Sequence, residues 1–198
     1  MNEDAFWALI DELSRRPGHR DEQLDWLEGE LTRRPAAGAV AFQVRLERAC
    51  DAAGTRAVRA AADRIEGGLC TDDGFHYFTL WLVGQGRKVY ESVLADPDAL
   101  ADVPGVRALV GRHHQEWGDD EWPEWEELDY VAQDAYDELT GRTDDDGEAF
   151  LDAVEEAAGI VDEEEGEAEE DEERGAFRPE GRALPRLTAL FPPGPSAS

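Results

Sequence analysis

Positive charge is what this chain has least of. Lys88 is its only lysine, and Lys and Arg together number 19 against 48 Asp and Glu, for a formal net charge of -29. A deficit this large argues against direct nucleic-acid binding, because phosphate contacts need Lys and Arg to displace counterions and no predicted helix carries a basic stripe. Attachment to an anionic membrane is unexpected on the same ground. Cysteine is scarce as well. Cys50 and Cys70 could form one disulfide at most, and no apolar stretch resembles a signal peptide or a membrane span; MNEDAFWALIDEL starts acidic where a signal peptide starts basic. The expected setting is the cytoplasm, with reduced thiols. The sequence also has no phosphate loop, nucleophile elbow, zinc signature or Rossmann glycines. Without them it points to no reaction.

What is present suits a soluble globular protein: 41% hydrophobic and 34% charged residues in 198 positions, enough for one domain with a real core. Much of the negative charge sits in VDEEEGEAEEDEER, residues 161–174. That run has too little apolar surface to bury and is expected as a solvated, disordered linker. The expected organisation is a helical domain over residues 1–160, the acidic linker over 161–174, and a tail over 175–198 that docks in part.

Helix signals fill the domain. Asn2 stands as an N-cap before Phe6, Ile10 and Leu13 at helical spacing, with Arg15 and Arg16 in the last turn before Pro17-Gly18. RDEQLDWLEGELTRR repeats the pattern with Leu24, Leu27 and Leu31 and stops at Pro35. GAVAFQVRLERACDAAG and TRAVRAAADRIEGG give two more helices, the second capped by Thr55. Cys50 falls near the apolar side of its helix and reads as a small core residue.

The segment from Thr71 to about Leu94 is apolar nearly all round, which marks a central buried helix. Gly84 and Gly86 either admit a close neighbour or break it at Gln85. EWPEWEELDYVAQDAYDELTG and DDGEAFLDAVEEAAG supply further helices. Past the acidic run, Leu184, Leu187, Leu190 and Phe191 form a short stripe that either docks on the core or serves as a free peptide motif. No alternating strand pattern occurs. The expected fold is all-α, a single irregular or orthogonal helical bundle with a short C-terminal helix.

Three stretches, FWALIDE, GGLCTDDGFHYFTLWLVGQGRKVYESVLADPDALAD and ELDYVAQDAYDELTG, together resemble a bacterial family, domain of unknown function 4240, common in actinobacteria. The resemblance covers roughly Asn2 to Gly141, and LPRLTALF is similar to a tail of such proteins. It implies membership and lends no site residues.

Candidate sites cluster in the central motif. Cys70 at a helix start could be a thiolate with His76 as base, or the N′ partner of Phe75 in a hydrophobic staple. Asp72 and His76, four apart, could share a proton or a metal, but a third ligand would have to come from His113, His114 or Glu116, so no metal or cofactor is expected. Asp72 and Asp73 read as capping acids before an acid/base pair. Arg87 on an apolar helix needs a carboxylate, and Asp72 or Asp73 is the expected partner. Asp73, Gln85, Arg87 and Tyr90 could then form a buried network. Alternatively, Tyr77, Trp81, Gln85, Arg87 and Tyr90 line a pocket for a small anionic or planar molecule. Trp117, Trp122 and Trp125 form either an exposed partner patch or a cover on one edge of the bundle. Two functions follow: a regulatory protein-interaction module whose acidic tail meets basic protein surfaces, or a small-molecule-binding or catalytic domain built on the motif.

Overall fold

Side-chain caps fix where α-helices begin at Asn2, Thr55 and Thr71. The computed structural model describes residues 1–141, 147–169 and 183–192, with backbone alone for 160–169. The Asn2 side chain accepts the Ala5 N–H at 2.9 Å and opens α1 (Glu3–Arg15), whose buried face includes Phe6, Ile10 and Leu13. Glu3 and Asp4 occupy the first turn and Arg15 the last, each on the end of the helix dipole that favours its charge. Next, α2 (Arg20–Thr32) buries Leu27 and Leu31. After Pro35, α3 (Ala36–Ala53) forms the spine against which several other helices pack. Thr55 caps α4 (Arg56–Ile65) by accepting the Val58 N–H.

The apolar segment becomes α5 (Asp72–Gly84), capped by Thr71, which accepts the Gly74 N–H at 2.9 Å. Every residue from Phe78 to Gly84 is buried, so α5 is the central helix. Both readings of its glycines hold, each at one position. Gly86 adopts φ +92°, a left-handed value open to glycine, and ends the run before α6 (Arg87–Ala95). Gly84 makes the close approach, since a Cβ there would lie 2.6 Å from the buried Trp125 ring.

Short pieces follow: a 3-10 turn over Pro97–Asp102, α7 (Pro104–Ala108), and 3-10 turns ending with Glu126–Asp129. Trp125 and Trp117 are buried here, and Trp122 meets Trp117 edge-on at 4.8 Å. The tryptophans therefore cover an edge of the bundle and form no exposed patch. Then come α8 (Val131–Thr140), stopped by Gly141 in the left-handed region, α9 (Glu148–Glu169) and α10 (Pro185–Leu190). Among the described residues there is no strand, and the all-α bundle stands. No helix of the described residues is long and apolar enough to cross a membrane.

Two points refine the sequence reading. The helix expected to stop near Gly159 continues to Glu169, into the acidic run, whose residues 170–174 lie outside the described set. At the other end of the tail, α10 docks on the domain with Leu187 fully buried.

The two helical glycines Gly84 and Gly29 differ in what surrounds them, and alanine reads the difference. Gly84→Ala drives a methyl into Trp125 and is expected to destabilise the domain by about 1–3 kcal/mol. Gly29→Ala in α2, with nothing within 4 Å of its added Cβ, is expected to stabilise by about 0.5–1 kcal/mol. Urea melts of both variants test the pair, and equal effects would contradict the packing.

Candidate functional site

The break at Gly86 disperses the central motif over several faces. Arg87 sits at the start of α6 beside the first turn of α1, where its guanidinium donates to Asp4 at 3.0 Å, to Glu3 at 3.1 Å and to Glu91 at 2.7 Å. Those carboxylates raise its pKa further, Glu91 first. Its backbone N–H is capped by Asp11 Oδ1 at 2.8 Å. The expected pairing of Arg87 with Asp72 or Asp73 does not form, because α6 starts afresh at Gly86 and turns Arg87 toward α1. The expected network dissolves with it. Asp73 is exposed in the first turn of α5, Gln85 donates to the Trp81 carbonyl, and the buried Tyr90 hydroxyl donates to the Ala49 carbonyl at 2.8 Å.

The aromatics part company too. Trp81 and Tyr90 are buried core residues, the latter 4.8 Å from the Trp7 ring. Tyr77 lies in a separate shallow cleft with Arg20, Trp122 and Glu126, and a hydrogen bond to Glu126 pushes its hydroxyl up to about 12. Arg20 in that cleft is already held by the Trp122 and Glu124 carbonyls.

Two motif residues, Asp72 and His76, do share a site. They flank a cleft of about 300 Å³ whose other wall is the end of α3. From α5 come Asp72, Phe75, His76 and Thr79; from α3 come Glu47, Cys50 and Asp51. The helical spacing that makes α5 apolar on most faces leaves Asp72, His76 and Thr79 on its one polar edge. Yet Asp72 and His76 do not join each other. Asp72 pairs with Arg59 at 2.7 Å, and His76 Nε2 lies 3.0 Å from Asp129 Oδ2.

Behind the rim, the amide of buried Gln43 donates to Glu47 at 3.1 Å and to Asp129 at 3.3 Å, while its Oε1 is buried with no hydrogen-bond partner among the described residues. Glu47 is exposed along its length, but its carboxyl leans into this cluster. Partial burial raises its pKa, and Asp129 and Asp51 add to the rise, while Gln43 and His76 oppose it. The cleft thus holds more negative charge than its own groups balance. Glu47, Asp51, Gln43 and Asp129 were not among the residues singled out from the sequence. Gln43, Glu47 and Asp51 repeat every four positions, a readable polar stripe, but Asp129 arrives from far along the chain.

Neither thiol is set up for nucleophilic chemistry. Burial pushes Cys50 up to about 12 despite a hydrogen bond with Thr79. Cys70 is likewise raised to about 12, by burial and then by the neighbouring Glu66 carboxyl, while its thiol donates to the Thr71 carbonyl. The helix dipole that could have favoured a thiolate is outweighed, and Cys70 and Phe75 instead both pack on the core. His113 and Glu116 are engaged in a local cap. No three His, Cys, Asp or Glu side chains among the described residues could hold a metal together.

The family model described as "Protein of unknown function (DUF4240)" matches residues 1–138. No curated protein and no solved structure matches the chain.

Glu66 gives this region a pH signature. It caps the end of α4, is 1% exposed and has one carboxylate oxygen without a partner among the described residues. Burial, and secondarily Glu124, raises its pKa from the usual 4.5 to about 8. The folded protein therefore holds a proton that the unfolded chain releases, so this group makes stability fall as pH rises from 4.5 toward 8. The slope is at most about 1.4 kcal/mol per pH unit. Denaturant melts of wild type and Glu66→Gln at pH 5 and pH 8 should show the variant gaining on the wild type at the higher pH. A constant difference would mean that Glu66 is ionised in the fold.

Proposed function

The chain belongs to the DUF4240 family, and on the chemistry of the α3–α5 cleft we propose that it is a non-catalytic interaction module that binds an arginine-bearing segment of a basic partner protein. What carries the reading is a guanidinium already seated on the rim. Arg59 makes its 2.7 Å ion pair with Asp72 while its guanidinium carbon lies 5.2 Å from the centre of the Phe75 ring. Carboxylate and aromatic face together recognise the planar cation, the second adding about 0.5–1 kcal/mol at an exposed site. Glu47 and Asp51 on the α3 wall, with Asp129 behind them, offer an incoming guanidinium the same kind of carboxylate partner, and a cation there relieves their mutual repulsion. The overall charge of -29 speeds encounter with such a partner.

Proton linkage follows from the site. Partial burial, and after it the nearby Asp129 and Asp51, raise the Glu47 carboxyl from its ordinary value. A bound cation lowers it again, so binding is coupled to proton release from Glu47 in the pH interval between its bound and free values.

A second reading rests on the cleft's size. About 300 Å³ is at the lower end of small-molecule pockets, which suits a single free guanidinium or ammonium compound. Both readings meet one experiment, in which a fluorescein-labelled tetra-arginine peptide is titrated into the protein at low and at physiological salt. Glu47→Gln with Asp51→Asn is expected to weaken binding by about tenfold, or 1.4 kcal/mol. Neutralising Glu163, Glu164 and Glu165 in the acidic run should weaken it less. Equal losses would make the binding diffuse attraction to the tail and end the proposal. Competition by free arginine amide at comparable concentration would favour the small-molecule reading.

A further inference from the structure

Asp98 is an unusual residue to find inside this bundle. It lies in the Pro97–Asp102 turn at 4% exposure, yet the groups that meet its carboxylate come from the other end of the chain. Oδ2 accepts the Arg186 N–H at 3.0 Å and Oδ1 accepts the Leu187 N–H at 2.9 Å. These are first-turn amides of α10, which has no side-chain cap of its own. A buried carboxylate on one element thus supplies the N-terminal cap of a helix some ninety residues away. Charge-assisted bonds to two adjacent backbone amides recognise a helix start whatever its side chains. Side-chain selectivity comes from Leu187, which is fully buried, and from Arg186, paired with Asp102. Pro185 at the first helical position presets the backbone that presents those two amides.

Leu184, Leu190 and Phe191 add half-buried contacts with the core, and the other face of α10 is open to solvent. Pro185, Arg186, Thr188 and Ala189 are exposed, and the helix packs only on the Pro97–Asp102 turn and α4 among its stronger contacts. The groove belongs to the matched residues 1–138, whereas α10 lies outside them. Beyond Asp102 the surface continues as an apolar cleft of about 350 Å³ lined by Val89, Val93, Val103 and Pro104. A longer segment entering the groove would reach it.

We propose that the groove around Asp98 is a docking site for a short helix of the form Leu-Pro-basic-Leu, and that α10 is its built-in occupant, a latch that a partner protein's helix of the same chemistry displaces. This is a second interaction surface, independent of the acidic cleft. It reconciles the two readings of LPRLTALF, because one segment is both a docked helix and a recognition motif. A short latch, held by buried Leu187, by the half-buried Leu184, Leu190 and Phe191 and by two terminal amides, opens locally without unfolding the core. While closed, it lowers the apparent affinity of any competitor by the fraction of time it is closed.

The test uses the full chain and a fluorescein-labelled peptide of residues 183–192 as the competing helix. Leu187→Asp places a charge in the apolar seat and is expected to release α10. The variant should then bind the free peptide saturably, at least about tenfold more tightly than the wild type, whose groove is occupied. Adding Asp98→Asn, which sets an amide N–H against the incoming N–H groups, should remove that gain. Failure of folded Leu187→Asp to bind the peptide, with folding checked by circular dichroism, would overturn the proposal. Should Leu187→Asp itself unfold, hydrogen exchange of the wild type decides. Exchange of the Thr188–Leu190 amides faster than those of α5 supports a latch, and exchange at the same rate as α5 makes α10 part of the core and refutes it.

Discussion

A helix that is apolar on almost every side must be surrounded, and the burial of α5 is the constraint from which the rest of this structure follows. Helices α1, α3 and α4 pack against it, and the turn carrying Trp125 and Leu128 closes over its end. The closest of these contacts is steric. At Gly84 the indole of Trp125 occupies the space that any side chain would fill, so the bundle closes around a missing Cβ. The next residue but one, Gly86, then ends the helix through a left-handed backbone that few other residues adopt at low cost.

Surrounding α5 also decides where chemistry can sit. Its aromatic residues are consumed as packing, as Trp81 and Phe78 illustrate, leaving one polar edge of Asp72, His76 and Thr79 to meet α3. On that edge acids gather: Glu47, Asp51 and Asp129 lie around His76, and Arg59 on the rim is paired with Asp72. The elevated Glu47 carboxyl and the orphaned Gln43 oxygen express the same imbalance in two ways. Neither thiol is poised as a nucleophile, since burial raises both to about 12.

The two proposed surfaces use one physical device in opposite directions. In the cleft, fixed carboxylates await a mobile positive charge; at Asp98, a fixed carboxylate holds the partial positive charge at the start of a helix. Both exploit the chain's abundance of acids without requiring any single pair to be strong, because exposed pairs contribute little one by one. Asp98 is the exception, since burial makes its two amide partners hard to replace by water.

The fold class was legible because helices announce themselves locally: Asn2, Thr55 and Thr71 cap where their side chains suit capping, and the periodic apolar residues of α1 and α2 face inward as spaced. The sequence alone also determined that the segment after Thr71 is buried, whereas the docking of Leu187 and its neighbours, left open between a core contact and a free motif, was decided by the tertiary structure. It did not determine the pairings. Arg87 faces Glu3 and Asp4, His76 faces Asp129, and Asp98 faces Leu187, each across more than fifty residues of chain. Local spacing carries no information about such partners, because they depend on the angle at which α6 leaves Gly86 and on the direction from which the C-terminal segment returns. Only the closed bundle sets those, and with them which carboxylates are shared and which are crowded.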